Sequence, residues 1–300
     1  MRALFVLTTS ESKRLIGKAV AQMDQVRRAK EIGRILIGHG STNVYVIEEI
    51  IGKENACKLW KRDNYLSGVI IRGILCTILG SDKPPILVLN KGEVAPPLAT
   101  MSEMLQDFDQ NSVFIKGANC LDPEGNAAAF AAHPEGGTIG WAIGNILARG
   151  IPLITPVGLE KLIPSVKQAI SLCGQQTLEY SQGIRVGLIP LVGAKVVTEI
   201  DALRILADVK SYHVASGGQS GSEGAVTIVS EGEATAVQKA IQLVESIKGE
   251  PPLMPRKGIC ETCSPSSPAQ PMGYKFKGPI RRCMYEGKRE KDIPPYLRNR

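Results

Sequence analysis

The chain has 300 residues, 43% of them hydrophobic and 22% charged, a balance that excludes a disordered chain, a collagen-like repeat and a coiled coil. No apolar run approaches the roughly 20 residues that cross a bilayer, and the opening MRALFVLTTSESK is too short in apolar residues for a signal-peptide core, so a cytoplasmic protein with no membrane partner is expected. The net charge of +7 sits in residues 256–300, with 11 Lys and Arg against 4 Asp and Glu, while the rest holds 25 of each sign; this describes a basic appendage on a neutral body.

In chain order, residues 10–33 read as one helix. Ser10 or Ser12 can cap it, Leu15, Ile16, Ala19, Val20, Met23, Val26 and Ala29 recur at helical spacing, and Gly33 ends it. Residues 34–37, apolar and bounded by glycine, read as a buried strand that opens through Gly38-His39-Gly40-Ser41-Thr42-Asn43 into a helix at 44–51. Further strands are expected at 69–75, 86–89, 112–115 and 152–155. Further helices are expected at 101–108, capped by Thr100 or Ser102, and at 138–148 and 160–172. This alternation predicts an α/β fold with a mainly parallel, doubly wound sheet over residues 1–190.

Residues 191–250 change rhythm. Strand 194–199, helix 201–207, strand 211–215, a Gly/Ser turn, strand 225–230 and helix 235–248 follow most of the order of a ferredoxin-like α+β domain, which could serve as a lid. Residues 251–300, rich in Pro, Gly and Ser, read as an irregular basic tail that either wraps the body or stays mobile.

Three Gly-rich constellations could carry chemistry. In 38–43, small residues between a strand and a helix allow close approach of a ligand. The helix start offers unpaired N–H groups, and Ser41 and Thr42 add hydroxyls, a set suited to phosphate or carboxylate. Gly38, Gly40 and Asn43 complete that loop, which is neither a Walker A loop nor a dinucleotide fingerprint. The plainer reading is a tight turn with Ser or Thr as helix cap. In 116–126, Lys116, Gly117, Asn119, Asp122 and Glu124 leave the carboxyl end of a strand, where open α/β sheets place ligands. Lys116 would neutralise charge, and Asp122 or Glu124 would move a proton; alternatively, Asp-Pro-Glu-Gly is an ordinary turn. Gly136-Gly137-Thr138 opens a second helix on the same side, with Thr138 as its simplest cap.

These residues resemble the superfamily of ribose-5-phosphate isomerase, glucosamine-6-phosphate deaminase and CoA transferases, and within it the lactate-utilisation type domains are nearest. The 38–43 loop resembles the superfamily's Gly-x-Gly-Ser-Thr loop. Gly117-Ala118-Asn119 with Asp122 and Gly125 resembles its second loop, and Val157-Gly158-Leu159-Glu160-Lys161-Leu162-Ile163-Pro164 a later run. The resemblance covers residues 30–175. It implies a phosphate-receiving loop at 38–43 and aldose–ketose isomerisation or a related proton transfer on a sugar phosphate. Asn119 stands where the isomerases carry an acid, and no Gly-flanked Glu of the kind that CoA transferases acylate is found. A non-catalytic ligand-binding module therefore stays open as a second reading, and a CoA-ester enzyme as a third. A homo-oligomer is expected.

Seven cysteines over a long chain do not describe a disulfide scaffold. Cys57, Cys76, Cys120 and Cys173 are isolated and read as buried free thiols. Cys260-Glu261-Thr262-Cys263, with Cys283 later, is half of a zinc or iron–sulfur site, whose fourth ligand would come from Cys57, Cys173, His213 or another subunit. The alternative is a redox pair or plain surface thiols, with Arg281 and Arg282 lowering the thiol pKa. No cofactor is otherwise required. Tyr274, Phe276, Tyr285 and Tyr296 between the tail's cations give it the composition of an RNA-contacting arm; the plainer expectation is that they anchor the tail to the body, with nucleic acid not a partner of the body itself.

Overall fold

The computed structural model describes residues 1–263 and 283–298. In chain order the first half comprises β1 (Arg2–Leu7), α1 (Thr9–Gln22), α2 (Asp24–Ile32), β2 (Arg34–Ile37), α3 (Ser41–Ile51), α4 (Lys53–Leu59), β3 (Gly68–Ile71), β4 (Ile74–Thr77), β5 (Leu87–Asn90), β6 (Glu93–Val94), α5 (Met101–Leu105), β7 (Val113–Ile115), β8 (Cys120–Leu121) and β9 (Ala127–Ala131). The second half comprises α6 (Gly137–Ala148), β10 (Leu153–Pro156), α7 (Val166–Leu172), β11 (Gly187–Pro190), β12 (Lys195–Val197), α8 (Glu199–Ala207), β13 (Lys210–Gly217), β14 (Ala225–Glu231) and α9 (Ala234–Glu245).

The central sheet has the order β12-β10-β7-β2-β5-β6. Strands β12, β10, β7 and β2 run parallel, whereas β5 and β6 are antiparallel additions. The molecule is thus α/β in class with a mixed sheet, because the 78–86 connection returns β5 against β2 in the opposite direction. Of its parallel strands, β2, β7 and β10 are short, largely apolar and buried, whereas β12 begins on the exposed Lys195. Helix α1 lays Leu15, Ile16, Ala19 and Val20 into the main core beside α3.

Several expected elements differ. The helix over 10–33 is two helices, because Met23 is extended and serves as C-cap of α1 and N-cap of α2. The strand over 69–75 is the hairpin β3–β4, turned at Arg72 and Gly73, both at positive φ as a two-residue hairpin turn demands. The helix over 160–172 is a 3-10 turn (Leu159–Lys161) and then α7, since Pro164 bars a continuous helix and Ser165 caps a new one.

The ferredoxin-like grouping also changes. The strand expected at 194–199 is β12 and joins the central sheet beside β10. Its place beside β14 is taken by β1 from the N-terminus, giving the antiparallel sheet β1-β14-β13 with α8 and α9 nearby. A six-residue pairing of β1 with β14, Arg2 opposite Glu231 through Leu7 opposite Val226, binds the two ends of the body together. A third sheet, β11-β9-β8, lies beside α7 and was not expected from the sequence.

The described part of the tail wraps the body. Lys257 bridges Ile78, Gly258 N–H donates to Thr77 O (3.0 Å), and Tyr285, Ile293 and Leu297 build a small core with Ile74. Tyr285 is the buried anchor, while Tyr296 stays exposed. Tyr274, Phe276, Arg281 and Arg282 lie outside the described residues.

Candidate functional site

Parallel strands β2, β7 and β10 end on the same edge of the central sheet, and the loops beyond them bound a cleft of about 1970 Å³. Gly38, at the end of β2, donates its N–H to Ile115 O (2.9 Å). A Cβ there would lie 2.9 Å from Lys116 Cδ, so glycine is what lets the Lys116 chain pass. Asn43 is fully buried and donates through Nδ2 to Gly38 O (2.7 Å), so it fixes the loop and does not face the cleft. Ser41 and Thr42 do line it, with Gly40, Gly117, Asn119, Gly136, Gly137 and Thr138.

Helices α3 and α6 open on this cleft from glycine N-caps, Gly40 and Gly136, with no side-chain cap. Thr138 lies inside the first turn of α6, where it cannot be the cap the sequence suggested. By contrast, Thr8 and Thr100 close capping boxes on α1 and α5. The first-turn N–H groups of α3 and α6 are therefore left without a side-chain acceptor at the wall of the cleft. Gly136 has φ +82°, and a Cβ would meet Ile189 Cδ1 at 2.4 Å, so no larger residue fits there.

Charge is the strongest feature. Lys13, Arg72, Lys83, Lys116, Lys161 and Arg185 line the cleft, against one carboxylate, Glu286, among the described residues. Lys116 Nζ donates to Gly117 O (3.1 Å), Lys161 Nζ to Ala118 O (3.0 Å) and Lys83 Nζ to Ser67 Oγ (3.1 Å), all neutral acceptors. Burial, then the charges of Lys161 and Lys83, bring Lys116 down to about 8. Burial and Lys161 bring Lys13 down to about 8, although Glu160 and Glu199 oppose the shift. Burial lowers Lys83 too. His39 is pushed down to about 3 by burial and by Lys83, and stays neutral. Its Nε2–H donates to Pro84 O (2.8 Å), and its ring packs on Tyr65 at 4.7 Å between centroids.

The expected acid/base residues do not face the cleft. Asp122 lies at the turn between β8 and β9, where it accepts the N–H groups of Val166 (2.9 Å), Asn126 (3.0 Å) and Glu124 (3.2 Å). Burial works against its charge, but the Val166 and Asn126 bonds hold it below the usual carboxylate range. A carboxylate saturated with donors organises its turn and is a poor proton acceptor. Glu124 is exposed on the same turn, and Asn119 Oδ1 accepts the Phe130 N–H (2.9 Å).

A different carboxylate pair stands behind Lys13. Glu199 is fully buried and accepts the Leu159 N–H (2.9 Å), and burial together with Glu160 raises it to about 7. Both Glu160 oxygens are buried with no hydrogen-bond partner among the described residues. Lys13, Lys83 and Glu199 stand in no motif of the sequence, and Glu160 and Lys161 stand only within the longer 157–164 run. Lys83, just before Pro84-Pro85, and Lys161, in the 3-10 turn after β10, are positions where a long cation is not demanded by packing, which is the one local signal available.

The tail cysteines gather elsewhere than expected. Cys57 is exposed on α4, Cys173 packs with Cys120, and His213 pairs with Ser216 Oγ (2.7 Å). Cys76, on β4, is the body thiol beside Cys260 and Cys283 in the small core. Burial first, then the neighbouring Cys76, Glu286, Cys283 and Cys260, push Cys263 up to about 11. Burial raises Cys76, Cys263 and Cys283, contrary to the lowering expected of an exposed basic tail. As the side chains stand, no group of three or more His, Cys, Asp or Glu among the described residues is arranged to hold a metal ion, and no helix among them is long and apolar enough to cross a membrane.

No family model, curated protein or solved structure matches this chain.

Proposed function

We propose that the cleft binds a small phosphorylated or carboxylated metabolite, with its anionic group between the first turns of α3 and α6 and the amines of Lys116 and Lys13. The observation that carries this reading is the imbalance of charge: six cations and one carboxylate among the described residues that line one cleft, with the lysine amines bonded only to neutral oxygens where any are bonded. Half-buried cations that outnumber the carboxylates around them weaken the fold, even with Glu160 and Glu199 behind Lys13, and a site that keeps them is shaped for an anion from outside. The resemblance of 38–43 to a sugar-phosphate loop points the same way and makes sugar phosphates the first ligands to test.

Between an isomerase and a binding module, the position of Asp122 and Glu124 favours the module. Proton transfer on a bound sugar phosphate needs a base within hydrogen-bond reach of the reacting carbon, and neither carboxylate lines the cleft. The test is a thermal-shift screen of the full chain against sugar phosphates, small carboxylates, CoA esters and nucleotides, with Lys116→Met in parallel. A ligand at about 100 times its Kd adds roughly 2.7 kcal/mol of stability. Stabilisation by a sugar phosphate or carboxylate that disappears in Lys116→Met supports the proposal; no stabilisation by any anion removes it. Turnover of a stabilising sugar phosphate would replace the module with an isomerase.

A further inference from the structure

We propose that Cys76, Cys260, Cys263 and Cys283, not arranged around an ion as they stand, close on a zinc ion that staples the C-terminal segment to the β3–β4 hairpin. Three stretches of chain, far apart in sequence, are knitted together at this point by backbone bonds. Lys257 and Gly258 pair with Ile78 and Thr77 just beyond Cys76. Gly287 N–H donates to Cys260 O (2.7 Å), which ties the Cys260 arm to the Cys283 arm. Cys263 N–H returns to Cys260 O (3.3 Å), so the two thiols of the Cys-x-x-Cys pair share one turn.

The second observation is a buried cation with no carboxylate. Lys257 is 1% exposed, donates from Nζ to Gly258 O (2.8 Å) and to Cys260 Sγ (3.4 Å), and makes no ion pair with a carboxylate among the described residues. An ammonium held dry against sulfur is costly unless the sulfur site carries negative charge. Four thiolates around one zinc ion carry a net charge of −2, which Lys257 would offset. Tyr285 N–H adds a bond to Cys283 Sγ (3.4 Å), the kind of outer contact that orients a metal-bound thiolate. Among the described residues the apolar core here is small, with Ile74, Cys260, Tyr285, Ile293 and Leu297 buried, and a small core gains from a staple. The ion would draw neighbouring sulfurs to the roughly 2.3 Å of a zinc–thiolate bond, each cysteine giving up its proton to solvent.

The test uses the full chain, purified under reducing conditions and reconstituted with zinc alone and, separately, with cobalt(II). The expected result is one zinc per chain, and for cobalt the intense visible bands of a tetrahedral tetrathiolate. Both should be lost in Cys76→Ser and kept in Cys57→Ser and Cys173→Ser. Because Cys76→Ser could misfold, wild type is also mapped by alkylation: zinc should shield the four cysteines while Cys57 reacts, and a chelator should expose all four. Failure to retain zinc, a Cys76→Ser variant that binds it like wild type, an iron–sulfur chromophore, or a disulfide within the four would each overturn the assignment.

Discussion

Lys13 and Arg14 are neighbours on α1, yet they meet opposite surroundings. Arg14, 2% exposed, pairs with Glu48, Glu49 (2.8 Å) and Glu250 (2.9 Å), and Arg62 joins Glu48 (3.1 Å) and Glu250 (2.7 Å) from the other side. The ring of Tyr45 lies 4.8 Å from both guanidinium groups. Although burial opposes its charge, Glu250 and Glu48 raise Arg14 above its ordinary value. Lys13, one residue earlier, faces the cleft with its amine lowered to about 8. In the first region every buried charge has its opposite inside the chain, which makes it scaffold. In the second, Glu160 and Glu199 stand behind Lys13 without outweighing burial and Lys161, and no salt bridge holds the cleft lysines among the described residues, which is the mark of a site that receives an anion.

The contrast can be broken most forcefully at Arg14. Arg14→Leu takes the most buried cation from Glu48 and Glu250, leaving them to the less buried Arg62, and should cost about 3 kcal/mol by chemical denaturation. Removing a cleft cation should do the reverse: Lys116→Met should leave stability equal or higher while abolishing anion binding. If both variants lost similar stability, the distinction between scaffold and site would fail.

The pH dependence sharpens the same point. Lys13 and Lys116 have folded values of about 8, against 10.5 for the free group, so the folded chain holds fewer protons than the unfolded one between those values. The penalty of charging them in the fold is complete below about pH 8 and is relieved as pH rises towards 10.5. A bound anion favours the ammonium forms, so binding takes up protons. Sulfate, whose charge is constant over this range, should therefore bind best below pH 8 and weaken above it, by at most about tenfold per pH unit for each lysine. Sulfate-induced thermal shifts at several pH values measure this, and a flat profile would count against lysine as the binding group. The smallest effect is expected at Asp122. Asp122→Asn should cost on the order of 1–2 kcal/mol through its lost turn bonds and leave the sulfate shift unchanged. Loss of that shift would return Asp122 to the site.

Local sequence was informative where one element carried its own signal. The buried strand 34–37 with its glycine exit, the glycines opening α6, and Lys116 at the end of β7 were legible, because a strand end, a turn and a helix start are decided within a few residues. The hairpin at 68–77 was not separated from a single strand, because its two apolar arms read as one run until Arg72-Gly73 is seen to turn. Asp122 was legible as a carboxylate near a strand end, but its orientation depended on Val166, 44 residues later.

The sequence by itself determined the α/β class, the Gly-rich exits from β2 and β7, and a basic tail bearing a Cys-x-x-Cys pair, because each follows from short-range sterics, periodicity or charge. Tertiary structure decided the rest. The edge beside β14 is completed by β1, and β12 joins the central sheet beside β10, pairings between segments far apart in the chain. Packing then brought Lys13, Lys83, Lys116 and Lys161 to one cleft while turning Asp122 away, and laid Cys76 beside Cys260 and Cys283. Which charges meet, and which stay unmatched, depends on contacts between residues far apart in the chain, and those exist only after the sheet has assembled.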